Sequence, residues 1–190
     1  MMHIAMLAGS NRRNASSTGI LRYIETILKA KNIQVSLIDL RVVRLPLYSP
    51  DSEAADPGVD LLIHSVRQAD GLVIATPEYH GSVSGSLKNA LDYLDNRDVA
   101  GKPALLVSSA GGRLGVSSLI HLQGIIRNLH GIVCPEWISI GDGQPLFDRD
   151  GVPPDTAIIR RIDHAVEQLI GLVTKLGAGS QQPVKVMMES

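Results

Sequence analysis

The length and composition of the chain indicate one globular domain and exclude several classes of function. Its 190 residues are 44% hydrophobic and 19% charged, which suits a single buried core. Eighteen Lys and Arg residues nearly balance nineteen Asp and Glu residues, for a formal charge of −1. No overall field therefore favours binding to nucleic acid or to an anionic membrane, and apolar runs such as 72–75 are too short to span a bilayer.

The N-terminus and the cysteine content predict a cytoplasmic protein. The first apolar run, residues 3–8, is followed at once by polar residues, which does not match a signal peptide. Cys134 is the single cysteine, so no disulfide can form within the chain. Its apolar neighbours favour a small buried hydrophobic side chain.

Short apolar runs alternate along the chain with apolar residues at helical spacing. Strands are predicted at residues 3–8, 33–39, 71–76, 103–109 and 131–140, the last irregular at Pro135. A helix is predicted after each strand, with Ser16 or Ser17 as the cap of the first helix and residues 153–155 at the start of the last. Residues 40–57 are expected to form a loop.

This alternation predicts an α/β fold, a doubly wound parallel sheet with helices on both faces. We expect one domain over residues 1–176 and a flexible tail over 177–190, which is polar and rich in glycine. In such a sheet, ligands bind at the carboxyl ends of the strands. The loops that follow the strands are therefore the places to look for a function.

The loop after the first strand predicts a phosphate site. Residues 9–18 lack both the spaced glycines of a dinucleotide-binding loop and the Gly-Lys-Ser/Thr of a Walker loop. Hydroxyls, guanidinium groups and a helix N-terminus can instead enclose one dianionic phosphate, which suits a mononucleotide. A solvent-facing polar loop is the alternative. The candidate phosphate ligands are Ser10, Arg12, Ser16, Ser17 and Thr18.

The loop after the third strand is suited to a flat ring such as a flavin. Pro77 stiffens the exit from the strand, while Gly81 and Gly85 allow the backbone to approach a ring closely. The N-terminus of the next helix would also favour negative charge on a reduced flavin. The alternative is an exposed turn before an ordinary helix. The candidate ring contacts are Pro77, Glu78, Tyr79, His80, Gly81 and Ser82.

The string Pro77-Glu78-Tyr79-His80, with residues 84–92 that follow, resembles the signature of the NAD(P)H-dependent FMN reductases. Within that family it is most similar to the bacterial azobenzene reductases and their quinone- and chromate-reducing relatives. The resemblance covers roughly residues 3–175. It implies a flavodoxin-like five-stranded sheet in the order 2-1-3-4-5, FMN as cofactor, NADPH or NADH as co-substrate, and a homodimer or homotetramer with the site at a subunit boundary.

The resemblance also bears on His80 and on the loop after the fourth strand. Many family members have Asn where His80 stands, although His also occurs in the azoreductase-like branch. Because the flavin itself supplies the hydride chemistry, we interpret this side chain as a wall of the substrate pocket rather than a catalytic acid. In the family, the loop after the fourth strand packs beside the flavin, and here it supplies Ser109, Gly111, Gly112 and Arg113. Arg113 could contact the flavin, contact the phosphates of a nicotinamide nucleotide, or simply be solvated.

The leading hypothesis is an oxidoreductase that passes electrons from NAD(P)H through FMN to a small-molecule acceptor: azo compounds, quinones or free flavin. Without a separate dinucleotide domain, a ping-pong cycle is expected, and no protein residue need be catalytic because the cofactor carries the chemistry. No metal motif such as HExxH or paired CxxC is present. Two alternatives stay open, a flavodoxin-type electron carrier without nicotinamide turnover and a flavin supplier to a partner monooxygenase. Flavodoxins are usually strongly acidic with an aromatic beside the flavin, and neither feature is evident here.

Overall fold

The part of the chain that the structure describes contains five strands and six helices, and the strands are separated by one helix or, before the fourth strand, by two. The computed structural model describes residues 1–51, 55–112, 114–141, 147 and 151–179. Its elements are β1 His3–Ala8, α1 Ser16–Ala30, β2 Gln34–Asp39, α2 Pro57–Gln68, β3 Gly71–Pro77, α3 Gly85–Asp92, α4 Asn96–Val99, β4 Pro103–Ser109, α5 Val116–Asn128, β5 Ile132–Ile140 and α6 Thr156–Gly179.

The strands form one parallel sheet in the order β2-β1-β3-β4-β5, which confirms the predicted fold. Every residue of β1 and β3 is buried, as expected for central strands that helices cover on both faces. On one face α1 and α6 pack against the sheet through residues such as Ile24 and Val166. On the other face α2, α3 and α5 pack through residues such as Leu62, Leu87 and Leu122.

The start of α1 differs from the prediction. Neither Ser16 nor Ser17 caps this helix, because both lie within its first turn. The N-cap position is held by Ala15, which has extended backbone angles and no side chain that could accept a hydrogen bond. The prediction of a serine cap was therefore wrong, because a run of hydroxyl residues does not show which of them is the last one outside the helix. The first amides of α1 are left without a side-chain acceptor.

Helix α4 was not predicted. It has only four residues and is formed by a capping box, in which Asp95 accepts from the amide of Arg97 and Asp98 accepts from the amide of Asp95. An element this short has no periodic apolar stripe that a sequence pattern could show. Helix α6 begins directly after the predicted residues 153–155 and continues to Gly179, and residues 180–190 of the predicted tail lie outside the described residues.

The irregularity expected at Pro135 is present in β5. The pairing with β4 shifts between Ala104, opposite Val133, and Leu106, opposite Trp137. Proline has no amide to donate, so it is accommodated where the ladder is interrupted. Cys134 in the same segment is buried, and burial raises the pKa of its thiol to about 12. This confirms Cys134 as a buried apolar side chain. None of the helices in the part of the chain that the structure describes is both long and apolar enough to cross a bilayer.

Candidate functional site

At the carboxyl ends of the strands, backbone hydrogen bonds join the segments that follow β1, β3 and β4 to their neighbours in the sheet. The amide of Gly9 donates to the carbonyl of Ala75 at 2.8 Å, and the amide of Glu78 donates to the carbonyl of Ser109 at 2.7 Å. Because these strands are neighbours in the order β1-β3-β4, the three loops lie side by side. The structure therefore brings the predicted phosphate residues and the described ring residues to the same end of the sheet.

Gly9 lies where β1 meets α3 and leaves no space for a side chain. A Cβ atom at this position would lie 2.6 Å from the carbonyl oxygen of Ala75 and 2.8 Å from the Cβ of Leu87. Both distances are shorter than atoms in folded proteins tolerate, so the position requires glycine. Sequence reasoning missed this role, although a glycine directly after a buried strand is a known signal of close backbone approach.

Ser84 links the loop after β1 to α3 through hydrogen bonds. Its buried hydroxyl donates to the carbonyl of Gly9 and accepts from the amide of Leu87 at 3.1 Å, so it is the N-cap of α3. Its own amide donates to the hydroxyl of Thr76 at 3.0 Å. One side chain thus fixes the distance between the proposed phosphate loop, residues 9–18, and the proposed ring loop, residues 77–82. Ser84 was not among the predicted site residues, although a serine before a helix is a cap signal.

The predicted phosphate residues lie in the loop before α1 and in the first turn of that helix. The hydroxyl of Ser10 is buried and accepts from the amide of Arg12 at 3.2 Å, which shapes the turn. Arg12 is exposed, and its guanidinium group makes no ion pair or hydrogen bond within the described chain. Ser16, Ser17 and Thr18 are the first three residues of the helix. Free amides and the helix dipole at this point favour a bound anion.

The hydroxyl of Ser17 gives a direct test of whether this loop fits a phosphate. Its oxygen is buried and has no hydrogen-bond partner, the one such side-chain atom among the residues that the structure describes. A buried hydroxyl without a partner costs about 1–3 kcal/mol. Together with the uncapped amides of α1, it forms a set of polar groups that the chain itself does not satisfy. These groups fit the phosphate of FMN, whose oxygens could accept from them.

We expect replacement of Ser17 by alanine to have opposite effects on the apoprotein and on the FMN complex. The free energy of unfolding of the apoprotein should rise, by up to about 1 kcal/mol, because an unsatisfied buried group is removed. The dissociation constant of FMN should rise about tenfold, because one hydrogen bond to a charged group is lost. Chemical denaturation of the apoprotein and fluorescence titration with FMN measure the two effects. An unchanged FMN affinity would show that Ser17 does not contact the phosphate.

The ring loop contains a tight hairpin. The amide of Tyr79 donates to the carbonyl of Ser82 at 3.0 Å, and the amide of Ser82 donates back at 3.1 Å. His80 and Gly81 between them have φ angles of 52° and 74°, as in a type I′ turn, which favours Asn-Gly. Asn and His are among the residues that tolerate a positive φ. The backbone conformation thus accounts for a histidine at position 80.

Substitution of His80 by asparagine should therefore not lower the melting temperature, and it should leave the NAD(P)H oxidation that the resemblance implies within about threefold of the wild-type rate. Substitution by valine should lower the free energy of unfolding by about 1–2 kcal/mol, because a β-branched side chain is strained at a positive φ. Thermal melts and steady-state rates measure both. A rate reduced more than about a hundredfold in His80→Asn would instead identify the imidazole as a catalytic acid.

The side chain of Glu78 contacts the N-terminus of α5. Its carboxylate accepts from the amide of Ser118 at 2.8 Å, in the first turn of α5. The N-cap of that helix, Gly115, has no side chain to do so. A negative charge at a helix N-terminus is stabilising. The Glu78 side chain therefore anchors the ring loop to α5, which leaves its backbone as the part that faces the site.

The loop after β4 offers an open backbone surface. Gly111 and Gly112 are exposed, and a Cβ atom at either would meet no atom within 4 Å. Nothing in the fold requires glycine at these two positions, so the empty space is available to a ligand. Ser109 is half-buried beside them. The remaining predicted contact, Arg113, lies outside the described residues.

The sheet order defines a flavodoxin-like protein, a class in which ligands bind at the carboxyl ends of the strands, where these loops adjoin. Among solved structures, the chain is similar to FerB, a flavoenzyme NAD(P)H:(acceptor) oxidoreductase from Paracoccus denitrificans, with a TM-score of 0.79 and 20% identity over 92% of this chain and 98% of that one. It is also similar to the apo form of an NADH:FMN oxidoreductase, with a TM-score of 0.74 and 21% identity over 96% and 92% of the two chains. At these identities the likeness shows the fold.

The sequence comparisons identify the family. A family model described as NADPH-dependent FMN reductase matches residues 2–145. The chain is 33% identical over 153 residues to an FMN-dependent NADPH-azoreductase of Staphylococcus aureus (strain USA300), covering 77% of this chain and 80% of that protein. The protein belongs to the NADPH-dependent FMN reductase family, which confirms the resemblance. It is therefore an oxidoreductase that uses FMN and a nicotinamide nucleotide.

Proposed function

We propose that this oxidoreductase transfers electrons from NAD(P)H to azo compounds, quinones or free flavin in a ping-pong cycle. The observation that carries the proposal is the convergence of three loops on one site, together with the polar groups left unsatisfied at the start of α1. FMN supplies the hydride chemistry when it is bound. With a single site at the strand ends, nicotinamide nucleotide and acceptor would occupy the same space in turn.

The protein residues bind and orient rather than react. Ser10, Arg12 and residues 16–18 would hold the phosphate through amides, hydroxyls and one guanidinium group. The backbone of 77–82 and of 109–112 would lie along the ring, where the hairpin fixes the position of Tyr79 and His80. We include Arg113 among the ring or nucleotide contacts on the basis of its place in the loop. No side chain is assigned a proton transfer.

The choice of acceptors rests on the relatives. The Staphylococcus aureus relative is named as an azoreductase, which supports azo compounds. The names of the two structural relatives, an NAD(P)H:(acceptor) oxidoreductase and an NADH:FMN oxidoreductase, support a broader range that includes free flavin. An acceptor that enters an open site without specific polar contacts need only be flat and reducible. We therefore place quinones and azo dyes in one class of acceptor for this site.

Steady-state kinetics test this proposal. NADPH oxidation by the FMN-loaded protein, measured at several fixed concentrations of menadione or methyl red, should give parallel lines in double-reciprocal plots. Intersecting lines would contradict the ping-pong cycle. An FMN-loaded protein that does not oxidise NADPH with any of these acceptors would favour the flavodoxin-type electron carrier instead.

We also propose a cytoplasmic homodimer or homotetramer with the site beside a subunit boundary. An apolar groove of about 770 Å³ lies between α3 and α5 and begins at Ser82 of the ring loop. Ile120, Ile125 and Leu129 line this groove, and Ile120 is 55% exposed. A second copy of the chain seated there would cover this apolar surface and one side of the ring loop.

Light scattering after gel filtration tests the assembly. Wild-type protein should elute as a dimer or tetramer, and Ile120→Asp should elute as a smaller species, because a buried charge disfavours association. Leu61→Asp is the matched control, since Leu61 is also exposed, at 48%, but lies on α2 away from the groove. A monomeric wild type, or an Ile120→Asp variant with unchanged mass, would contradict this interface.

A further inference from the structure

Glu78 is the one acidic side chain in the three loops of the proposed flavin site. The other charged side chains of residues 9–18, 77–82 and 109–115 that are cationic at every working pH are Arg12, Arg13 and Arg113. The carboxylate of Glu78 forms no ion pair within the described chain. No described cation therefore cancels its negative charge.

Hydrogen bonds hold this charge between the loop after β3 and the loop after β4. The backbone amide of Glu78 donates to the carbonyl of Ser109 at 2.7 Å, and its carboxylate accepts from the amide of Ser118 at 2.8 Å. Ser118 is buried, and its hydroxyl is bonded to the hydroxyl of Ser108 at 2.8 Å and to the carbonyl of Gly115 at 3.2 Å. The carboxylate is thus tied to a fixed point of the fold, so its charge stays beside both loops.

The same contact changes the electrostatic field that α5 produces at the site. The N-terminus of a helix carries about half an elementary positive charge, which favours an anion nearby. The carboxylate of Glu78 lies on this helix end, since it accepts from an amide in the first turn of α5. A full negative charge outweighs half a positive one. Glu78 and the end of α5 together therefore leave a net negative charge beside the ring loop.

Such a charge affects the oxidised and the reduced flavin unequally. A hydride from NAD(P)H brings two electrons and one proton, so the flavin ring gains one negative charge on reduction. Like charges repel, and water screens this repulsion less where the groups are partly buried, as Glu78 is. A fixed carboxylate beside the ring therefore disfavours the reduced ring more than the oxidised one.

We propose that the carboxylate of Glu78 lowers the reduction potential of FMN bound at this site. The proposal rests on the proposed function, because it takes residues 77–82 and 109–112 as the segments that lie along the ring. Glu78 acts through its charge and needs no contact with the acceptor. A lower potential makes the reduced cofactor a stronger donor, so it extends the range of acceptors to those that are harder to reduce.

Redox titration of the bound FMN against a reference dye tests this proposal. Glutamine at position 78 keeps the shape of the side chain and an oxygen that can accept from Ser118, but it removes the charge. At a given dye potential, the ratio of reduced to oxidised FMN should be about tenfold higher in Glu78→Gln than in the wild type, a rise of about 30 mV for a two-electron couple. An unchanged or lowered potential would overturn the proposal.

Asp95→Asn is the matched control. Asp95 also accepts from an amide at the start of a helix, but this helix, α4, directly precedes β4 and lies at the opposite ends of the strands from the three loops. The control removes the same charge, so it should keep the wild-type potential. A rise as large as that in Glu78→Gln would show an effect of net charge alone and would overturn the proposal.

Glu78→Ala separates the charge of the side chain from its hydrogen bond. Alanine removes both, so the melting temperature of the apoprotein should fall, whereas Glu78→Gln should melt close to the wild type. The potential should rise in both variants. A rise in Glu78→Ala alone would identify a displaced ring loop as the cause and would overturn the proposal. The titration uses neither NAD(P)H nor an acceptor, so its result stands even if no acceptor of the proposed function is reduced.

Discussion

Replacement of Gly9 by alanine should lower the free energy of unfolding by about 1–3 kcal/mol and weaken FMN binding at least tenfold. The new methyl group would meet the carbonyl oxygen of Ala75 and the Cβ of Leu87, at 2.6 and 2.8 Å. Neither neighbour can move alone, since one is backbone of the central strand and the other belongs to the buried face of α3. The end of β1 and the start of α3 must separate, which displaces the phosphate loop from the ring loop.

The matched control is Gly85→Ala. Gly85 lies at the start of α3, and a Cβ atom there would meet nothing within 4 Å. Urea denaturation should therefore give a near wild-type free energy of unfolding for this variant. A Gly9→Ala protein as stable as Gly85→Ala, with wild-type FMN affinity, would contradict the close approach of β1 and α3.

Replacement of Ser84 by alanine should lower the free energy of unfolding by about 2–4 kcal/mol. Removal of an N-cap costs about 1 kcal/mol, and a buried carbonyl left without its partner costs about 1–3 kcal/mol more. Ser84 holds both roles, because its hydroxyl accepts from Leu87 and donates to Gly9. The apparent FMN affinity should fall as well, since this hydroxyl sets the spacing of the two loops.

Ser86→Ala serves as the control for this change. Ser86 lies two residues further along the chain, in α3, is half-buried, and its hydroxyl makes no hydrogen bond within the described chain. Its substitution should change the free energy of unfolding by less than about 0.5 kcal/mol. If both variants unfold at the same urea concentration, the hydrogen bond from Ser84 to Gly9 does not contribute as argued.

The sheet was predictable because its central strands are continuous apolar runs with clear ends. The bounds of all five strands differ from the predicted ranges by at most one residue. Pro135 marked the interruption of β5, since an imino acid cannot donate to the ladder. The family signature, residues 77–80 with 84–92, then indicated the sheet order and the cofactor.

The contacts that support the site were not predictable in the same way, because they join residues far apart in the chain. Ser84 bonds to Gly9 across 75 positions, and Glu78 caps α5 through Ser118 across 40. A sequence shows that Ser84 can cap a helix, but not which carbonyl its proton will reach. The cap expected at Ser16 or Ser17 was wrong for a related reason, since Ala15 leaves that helix end open. The open end supports the proposed phosphate site.

The most direct test of this account compares the binding of FMN and riboflavin to the apoprotein. The two ligands share the ring and the ribityl chain and differ in the phosphate, so the ratio of their dissociation constants isolates the loop after β1. If this loop holds the phosphate, FMN should bind at least about a hundredfold more tightly than riboflavin, since several charge-assisted hydrogen bonds are involved. Equal affinity for the two ligands would contradict the assignment of Ser10, Arg12 and residues 16–18 as the phosphate site.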